Sequence, residues 1–269
     1  MNPFTSHPIN IAGNIALIDE ISKGRAYIGL AQGAWLNYLE LASKHPISAL
    51  KDAYRCIIHL LNKKGESFES KYFPLKGKDV LKWQIIQSNI PMLLGSWGPQ
   101  TIKACKPYIS EVKFGGTANP DLIPWALDTI DDKSIGIVLG CVTVVDEDGD
   151  KARNLARKEV APYLPIVGKL DPSLSISNDL FQEIVEATQI NDLDKASEFI
   201  DDELLAKFTF SGTPEEIVAQ AIQIFNSGGS RIEFGTPHGV NSIKGIKMLG
   251  KEVLPVIREK LGTNNNDKQ

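Results

Sequence analysis

The chain has 269 residues, 42% hydrophobic and 23% charged, and a net charge of −4 at pH 7, which is typical of a globular enzyme and argues against a general binder of nucleic acid. Its three cysteines, Cys56, Cys105 and Cys141, lie far apart, which argues against a disulfide framework and favours a reducing compartment. No apolar run approaches the roughly 20 residues of a membrane span, and the first residues lack a signal core, so we predict a cytoplasmic protein with no membrane partner.

The first half of the chain is predicted to alternate helices with buried strands. Apolar residues at helical spacing predict helices over 8–23 and 47–62. Short apolar runs at 26–30 and 90–94 predict strands. The segment 64–76 contains Gly, Ser, Phe and Tyr, which predicts a surface hairpin or loop.

The second half of the chain continues this alternation. The runs 112–115, 135–145 and 231–234 predict strands, and 135–145 is apolar on both faces, as in a covered parallel sheet. Helices are predicted over 213–227 and 240–258. The first of these begins with Thr213 as N-cap, Pro214 at the first helical position and Glu216 completing a capping box.

The order of these elements predicts a parallel α/β fold. Five strands are visible, whereas a closed (β/α) barrel needs eight. The pattern leaves two interpretations, an open sheet or a barrel that lacks strands at its front. We predict one domain over 1–262 and a disordered polar tail over 263–269.

Glycine-rich turns follow four of the predicted strands, at the strand ends where such folds bind ligands. Glycine lets the backbone approach a ligand closely, and a helix N-terminus offers N–H groups to a phosphate. The alternative is that each tight turn simply needs glycine. The turns contain Gly29 and Gly33; Gly95 and Gly98; Gly115 and Gly116; and Gly235 and Gly239.

Polar groups with catalytic potential are sparse in this sequence. Neither a catalytic triad nor a metal-ligand spacing is visible. The loop 146–150 resembles a calcium loop only loosely, and we interpret it as a solvated turn. His238, in a strand-end turn, has either a functional or a structural role. The other three histidines are expected to be surface or core residues.

The four tryptophans are assigned two different expected roles according to whether they lie beside a glycine-rich turn. Trp35 and Trp97 lie beside two of the turns and are expected to wall a flat ring system, whereas Trp83 and Trp125 are expected to be packing residues. A site with glycines, aromatic residues and no nucleophile suits a cofactor that supplies its own chemistry.

Several segments, taken in order, resemble the luciferase-like (β/α) barrel family on its deazaflavin-dependent branch. Residues 2–8 and 21–30 are similar to its third strand end and fourth strand. The run Pro-Met-Leu-Leu-Gly-Ser-Trp-Gly-Pro at 91–99 resembles the fifth strand with its phosphate turn, and 112–120 resembles the sixth strand. Residues 234–239 and 249–255 are particularly similar to archaeal methylenetetrahydromethanopterin reductases.

The resemblance implies a TIM-type barrel that uses the deazaflavin coenzyme F420 to transfer a hydride to or from a tetrahydropterin-type substrate. The coenzyme ring is expected near Asn2, Gly33 and Asn37, and the substrate near Trp35, Thr236 and His238. No catalytic residue and no metal ligand is implied. The coenzyme phosphate is expected on two turns, formed by Gly95, Ser96, Trp97 and Gly98 and by Gly115, Gly116 and Thr117.

The sequence departs from the family pattern at its front, where the first two to three strands have no counterpart. We therefore expect an incomplete barrel whose edge beside 26–30 is covered by a partner chain or by N-terminal residues, and we expect a form with a longer start to be more stable. A homo-oligomer is expected. Two alternative functions stay open: an FMN-dependent monooxygenase of the same family, and a non-catalytic barrel remnant.

Overall fold

The computed structural model describes residues 1–33, 36–62 and 65–262. These residues form two compact units. Unit 1 comprises Met1–Lys113 and Thr129–Gly136, and unit 2 comprises Phe114–Asp128 and the chain that follows Gly136. The single domain over 1–262 stays a prediction, and the predicted tail over 263–269 lies outside the described residues.

Unit 1 begins with three predicted elements and ends within a strand. Strand β1 pairs in parallel with β2 through Ile28↔Met92, and β2 pairs in parallel with β3 through Leu93↔Glu111. An antiparallel bridge between Phe68 and Leu75 forms a hairpin, one of the two structures predicted for this segment. The elements are α1 Pro8–Ser22, β1 Ile28–Ala31, α2 Pro46–Leu61, β2 Met92–Gly95, α3 Pro99–Cys105, a 3₁₀ turn Lys106–Tyr108 and the first part of β3 Glu111–Gly115.

Helix α1 begins where His7 Nδ1 accepts a hydrogen bond from the Ile9 N–H, and it ends at Lys23 in the left-handed conformation. Ile11 and Ile15 are buried as the periodicity predicts. Ile18 and Ile21, on the same predicted stripe, are 52% and 73% exposed. The buried face of α1 is therefore narrower and shorter than its sequence pattern.

Asp19 fastens the end of α1 to the loop that precedes β2. Its Oδ2 accepts the N–H groups of Ile86 (2.6 Å) and Gln87 (3.0 Å), and its Oδ1 accepts the Gln87 side-chain amide (2.8 Å). Gln87 also donates to the Ala26 carbonyl at 2.7 Å. Because Asp19 is fully buried, its carboxylate depends on these donors.

The outer edge of β1 is covered at two positions by the first residue of the chain. The Met1 ammonium donates to the Gly29 carbonyl at 2.8 Å, and the Ala31 N–H donates to the Met1 carbonyl at 3.0 Å. This pair of hydrogen bonds is the pattern of a parallel bridge. It is one of the two coverings of this edge that the sequence predicts.

Unit 2 contains the end of β3, three further strands and most of the helices. Strand β4 pairs in parallel with β5 through Val142↔Thr209 and with β6 through Cys141↔Phe234. The end of α4 and the first residue of β4 belong to unit 1. The elements are a 3₁₀ turn Pro120–Leu122, α4 Ile123–Ile130, β4 Gly136–Val145, α5 Gly149–Val160, α6 Leu164–Val167, α7 Asn178–Gln189, α8 Leu193–Glu198, α9 Asp202–Phe208, β5 Thr209–Gly212, α10 Pro214–Asn226, β6 Arg231–Gly239, α11 Ser242–Met248, a π-helical segment Leu249–Val253 and α12 Leu254–Lys260.

Several predictions for unit 2 are confirmed and two need correction. Helix α10 begins with the predicted capping box. Strand β5, however, was not predicted, because it follows α9 without a turn and Phe210 is its only large apolar residue. The helix predicted over 240–258 is divided into α11 and α12 by the π-helical segment.

The predicted fold class is confirmed: the described residues have the strand–helix alternation of a TIM-type (β/α) fold. They contain six strands, all paired in parallel, against the eight of a closed barrel. Within the described ranges, we find no helix that is both long and apolar enough to cross a membrane.

All three cysteines are buried and none is in a disulfide. Burial, with the nearby charges of Asp52 and Asp79, raises the pKa of Cys56 to about 11. Burial likewise raises the pKa of Cys105 to about 12. These thiols therefore stay protonated and inaccessible in the folded protein.

Candidate functional site

The turn after β2 is held by one hydrogen bond to strand β3 and by another within the turn. The Ser96 N–H donates to the Lys113 carbonyl at 3.2 Å, and the Gly98 N–H donates to Ser96 Oγ at 3.1 Å. A Cβ on Gly95 would lie 3.2 Å from the Ala31 Cβ. Of the groups predicted to bind phosphate, the Ser96 amide is thus engaged by strand β3, and the Gly98 amide is engaged within the turn. The first turn of α3, which follows Gly98, still presents N–H groups that have no intrahelical partner.

Asn2 and Gly33, both predicted to lie near the coenzyme ring, are brought together in unit 1. Gly33 has a φ of 96°, and a Cβ there would lie 2.7 Å from Asn2 Nδ2. Asn2 Oδ1 accepts hydrogen bonds from the Phe4 N–H and from the backbone and hydroxyl of Thr5, which orients its amide. Asn37 is exposed in the turn that follows. Trp35 lies outside the described residues.

The turn after β3, in unit 2, has most of its donors engaged. The Gly116 N–H donates to the Gly140 carbonyl (2.7 Å), and the Ala118 N–H donates to the Lys207 carbonyl (2.9 Å). The Thr117 hydroxyl also donates to Lys207 O, at 3.2 Å. Thr117 has no exposed surface. A direct contact between Thr117 and a bound phosphate, as predicted, does not fit this burial.

Gly115 and Gly116 are glycines for different reasons. Gly116 has a φ of 87°, and a Cβ there would lie 2.6 Å from Val167 Cγ2. Apart from its chain neighbours, a Cβ on Gly115 would meet no atom of the described residues within 4 Å, so the backbone at this strand end faces open space among them. Among the glycines of the four predicted turns, all of which are described, Gly115 alone has this property. A ligand can therefore approach the main chain at Gly115 without meeting a side chain.

The end of β6 carries the residues predicted to contact substrate. Thr236 is exposed, the Thr236–Pro237 peptide is cis, and His238 is half-buried with a φ of 75°. Helix α11 packs directly on this strand end: a Cβ on Gly245 would lie 2.6 Å from the His238 carbonyl carbon and 2.8 Å from the Gly239 Cα. The position of His238 therefore depends on how closely α11 approaches.

The remaining candidate residues have structural roles. His7 caps α1, and His59 Nε2 lies 3.1 Å from the Glu66 carbonyl oxygen. Asp148, in the loop that resembles a calcium site, caps α5 by accepting the Lys151 N–H. The Trp125 ring packs edge-on against Phe114, as predicted. In the part of the chain that the structure describes, no cluster of three or more His, Cys, Asp or Glu side chains is placed to hold a metal ion.

The sequence analysis missed the residues that hold the turn after β3. Asn119 and Asp171 are both buried and hydrogen-bonded to each other at 3.0 Å, although 52 residues separate them in the chain. Lys207 is 90 residues from Thr117. No local pattern signals contacts of this range.

Comparisons with known proteins agree with this architecture. A model of the family described as luciferase-like monooxygenase matches residues 1–231. The 5,10-methylenetetrahydromethanopterin reductase of Methanopyrus kandleri is 28% identical over 286 aligned positions, which cover 96% of this chain and 81% of that protein.

Solved structures show the same fold. The coenzyme F420-dependent tetrahydromethanopterin reductase from Methanopyrus kandleri superposes with a TM-score of 0.83 at 24% identity, over 96% of this chain and 81% of the other. An F420-dependent secondary alcohol dehydrogenase in complex with an F420–acetone adduct gives a TM-score of 0.68 at 17% identity, over 94% and 76%.

Proposed function

Since this chain belongs to the luciferase-like monooxygenase family, a family of oxidoreductases, we propose that it uses coenzyme F420 to transfer a hydride to or from a tetrahydropterin-type substrate. The similarity to 5,10-methylenetetrahydromethanopterin reductase supports this choice of substrate. The structural observation that supports it most directly is Gly115, whose bare backbone at a strand end leaves room for a ligand. The buried thiols support the reducing cytoplasm as its location.

Each unit has residues that we propose as contacts of the coenzyme, and the two sets are proposed independently of each other. In unit 1 they are Asn2, Gly33 and Asn37 for the ring, and the turn from Gly95 to Gly98 with the first N–H groups of α3 for the phosphate. In unit 2 they are Gly115 and Gly116, through close backbone approach. When bound, F420 supplies the ring carbon that gives or accepts the hydride.

The chain's own residues are proposed to position the ligands and not to exchange protons with them. Asn2 presents an amide whose orientation is fixed by three hydrogen bonds to its oxygen. Gly115 admits the ligand to van der Waals distance of the backbone. Holding two reactants in the correct geometry is itself a large part of the acceleration of such a transfer.

The alternative is an FMN-dependent monooxygenase, which the description of the family favours. Titration of the protein with F420 and, separately, with FMN, followed by absorbance, distinguishes the two cofactors. Tight binding of F420 with reduction of a methylenetetrahydropterin supports the proposal, and tight binding of FMN alone supports the alternative. A chain that binds neither is the non-catalytic remnant.

We also propose that the protein assembles as a homo-oligomer. Ile18 and Ile21, three residues apart and so on the same face of α1, are more than half exposed. Neighbouring large apolar side chains at a surface mark contact sites for other chains. Sedimentation equilibrium measures the number of copies directly, and a single copy at micromolar concentration contradicts this part of the proposal.

Gly115→Ala is expected to weaken F420 binding by about tenfold while leaving thermal stability unchanged. The added methyl meets no protein atom within 4 Å, so it projects into the space assigned to the ligand. Gly250→Ala is the matched control, because a Cβ there also meets nothing within 4 Å. Equal F420 affinity in the two variants, by fluorescence titration, would remove Gly115 from the site.

His238→Ala is expected to lower kcat/KM for the tetrahydropterin by at least about tenfold with only a small change in melting temperature. Both residues carry a Cβ and meet a steric penalty at a φ of 75°, and since histidine tolerates this conformation only somewhat better than alanine, the change in backbone cost is small. His45→Ala, at an exposed position, is the control. A fall in melting temperature without a fall in kcat/KM would assign His238 a structural role.

A further inference from the structure

The turn after β3 is tied to a segment between α6 and α7 by a buried carboxylate. Asp171, 3% exposed, accepts the Asn119 side-chain amide on Oδ2 at 3.0 Å. Its Oδ1 accepts the Ser173 N–H at 2.9 Å and the Ser173 hydroxyl at 2.6 Å. A buried carboxylate is tolerated only with such donors, and here they leave it a single orientation.

The same contacts fix the amide of Asn119. Its Nδ2 donates to Asp171 and also to Ser173 Oγ at 2.8 Å, while its Oδ1 accepts the Asp121 N–H at 3.1 Å. Exchanging the two ends of the amide would place donor against donor at Asp121 and leave the carboxylate without its amide partner. The side chain of Asn119 thus links the Asp171 carboxylate to the backbone of the turn through hydrogen bonds at both ends of its amide.

The other side of the turn is held by one carbonyl. Lys207 O accepts both the Ala118 N–H and the Thr117 hydroxyl, and Thr117 Oγ in turn accepts the Asn119 N–H at 3.0 Å. The N–H groups of Gly116 and Ala118 and the Thr117 hydroxyl are therefore all engaged within the protein. What the turn leaves open is the space beside Gly115, where no side chain projects.

We propose that Asp171 is a positioning residue, which holds the turn 115–119 so that Gly115 keeps a fixed close approach to the bound ligand. The ligand part recognised there is uncharged, a ring or an extended chain, because the amides of Gly116 and Ala118 are already engaged. This inference rests on the proposed function for the identity of the ligand, F420. The conformation of the turn is independent of that identity.

The test compares Asp171→Asn with Ile184→Val, a core variant of unit 2 that is expected to lower stability without touching the turn. In Asp171→Asn the remaining oxygen can accept from only one side, and the new NH2 group faces either the Asn119 amide or the Ser173 donors, so one of the two connections to Asp171 is lost. The milder Ser173→Ala removes one donor to Asp171, and it replaces Asp171→Asn in the test if that variant does not fold. Two quantities are measured: hydrogen exchange of the amides at 116–119, and the Kd for F420 by fluorescence titration.

We expect exchange at 116–119 and the Kd for F420 each to rise by about tenfold in the Asp171 variant, and neither to rise in Ile184→Val. Unchanged exchange, or an unchanged Kd beside faster exchange, overturns the positioning role while the proposed function stands. If the wild-type protein does not bind F420, the proposed function fails, and exchange alone decides whether Asp171 holds the turn.

Discussion

Replacing Asp19 with alanine is expected to lower the free energy of unfolding by about 3 kcal/mol. The change leaves the N–H groups of Ile86 and Gln87 and the Gln87 amide without their buried acceptor. Removing a buried charged group that several donors share is among the more destabilising single changes. Urea unfolding, followed by circular dichroism, measures the loss.

Glu20→Ala is the control for Asp19→Ala. Glu20 is exposed and accepts one N–H, from Gln84, in the same loop. Its removal is expected to cost less than about 1 kcal/mol, because water replaces the lost acceptor. Equal losses in the two variants would show that burial of the Asp19 carboxylate is not what holds the loop.

The contribution of Asp19 is expected to depend on pH. Burial raises the pKa of this carboxyl, but the hydrogen bonds from Gln87 and Ile86 outweigh it and hold the pKa below its usual value. A depressed pKa means that the stabilisation is complete above the unfolded-state value of about 3.9 and is lost as the pH falls through the lower folded value. The stability difference between wild type and Asp19→Ala should therefore shrink in acid, from about pH 4 downward.

Gly245→Ala is expected to be the most disruptive of the glycine substitutions, with a loss of about 3 kcal/mol. The new methyl would overlap the His238 carbonyl and the Gly239 Cα, which are backbone atoms that cannot rotate away. Helix α11 must then move off the end of β6. Because that end carries His238, we also expect loss of substrate turnover at temperatures where the variant is still folded.

The control for Gly245→Ala is Gly250→Ala, in the π-helical segment that follows α11. Alanine is normally more favourable than glycine in a helix by about 1 kcal/mol, so a glycine with open space around it should gain stability on substitution. The two substitutions are chemically identical and are expected to differ in sign. A similar melting temperature for both variants would contradict the close approach of α11 to β6.

The parts of the fold that were predictable are those that local sequence specifies. The capping box of Thr213 and Glu216 lies within four residues and is formed as predicted. Strand β5 was not predictable in this way, because its four buried residues pair with β4 at positions more than 60 residues earlier in the chain, and Thr209 and Ser211 carry no apolar signal. The residues of β5 are buried because of the elements that pack around the strand, and not because they are apolar.

The candidate site, like the fold, has features that the local sequence predicts and others that depend on remote segments of the chain. The sequence places glycines at the strand ends, but it does not separate Gly115, which faces open space, from Gly116, which has a positive φ. Nor does it indicate that the amides of the turn are engaged by Lys207 and that Asp171 supports it. Such distinctions depend on distances between segments that are remote in the chain.

Because the three thiols are buried, their rates of chemical modification measure how often the surrounding structure opens. A thiol is alkylated only as an accessible thiolate, so Cys56 and Cys105 react only when unit 1 opens, and Cys141 reacts only when unit 2 opens. Timed exposure to iodoacetamide, followed by peptide mass analysis, therefore yields a separate opening rate for each unit. No introduced label is needed, and the same measurement made with a ligand present shows which unit the ligand stabilises.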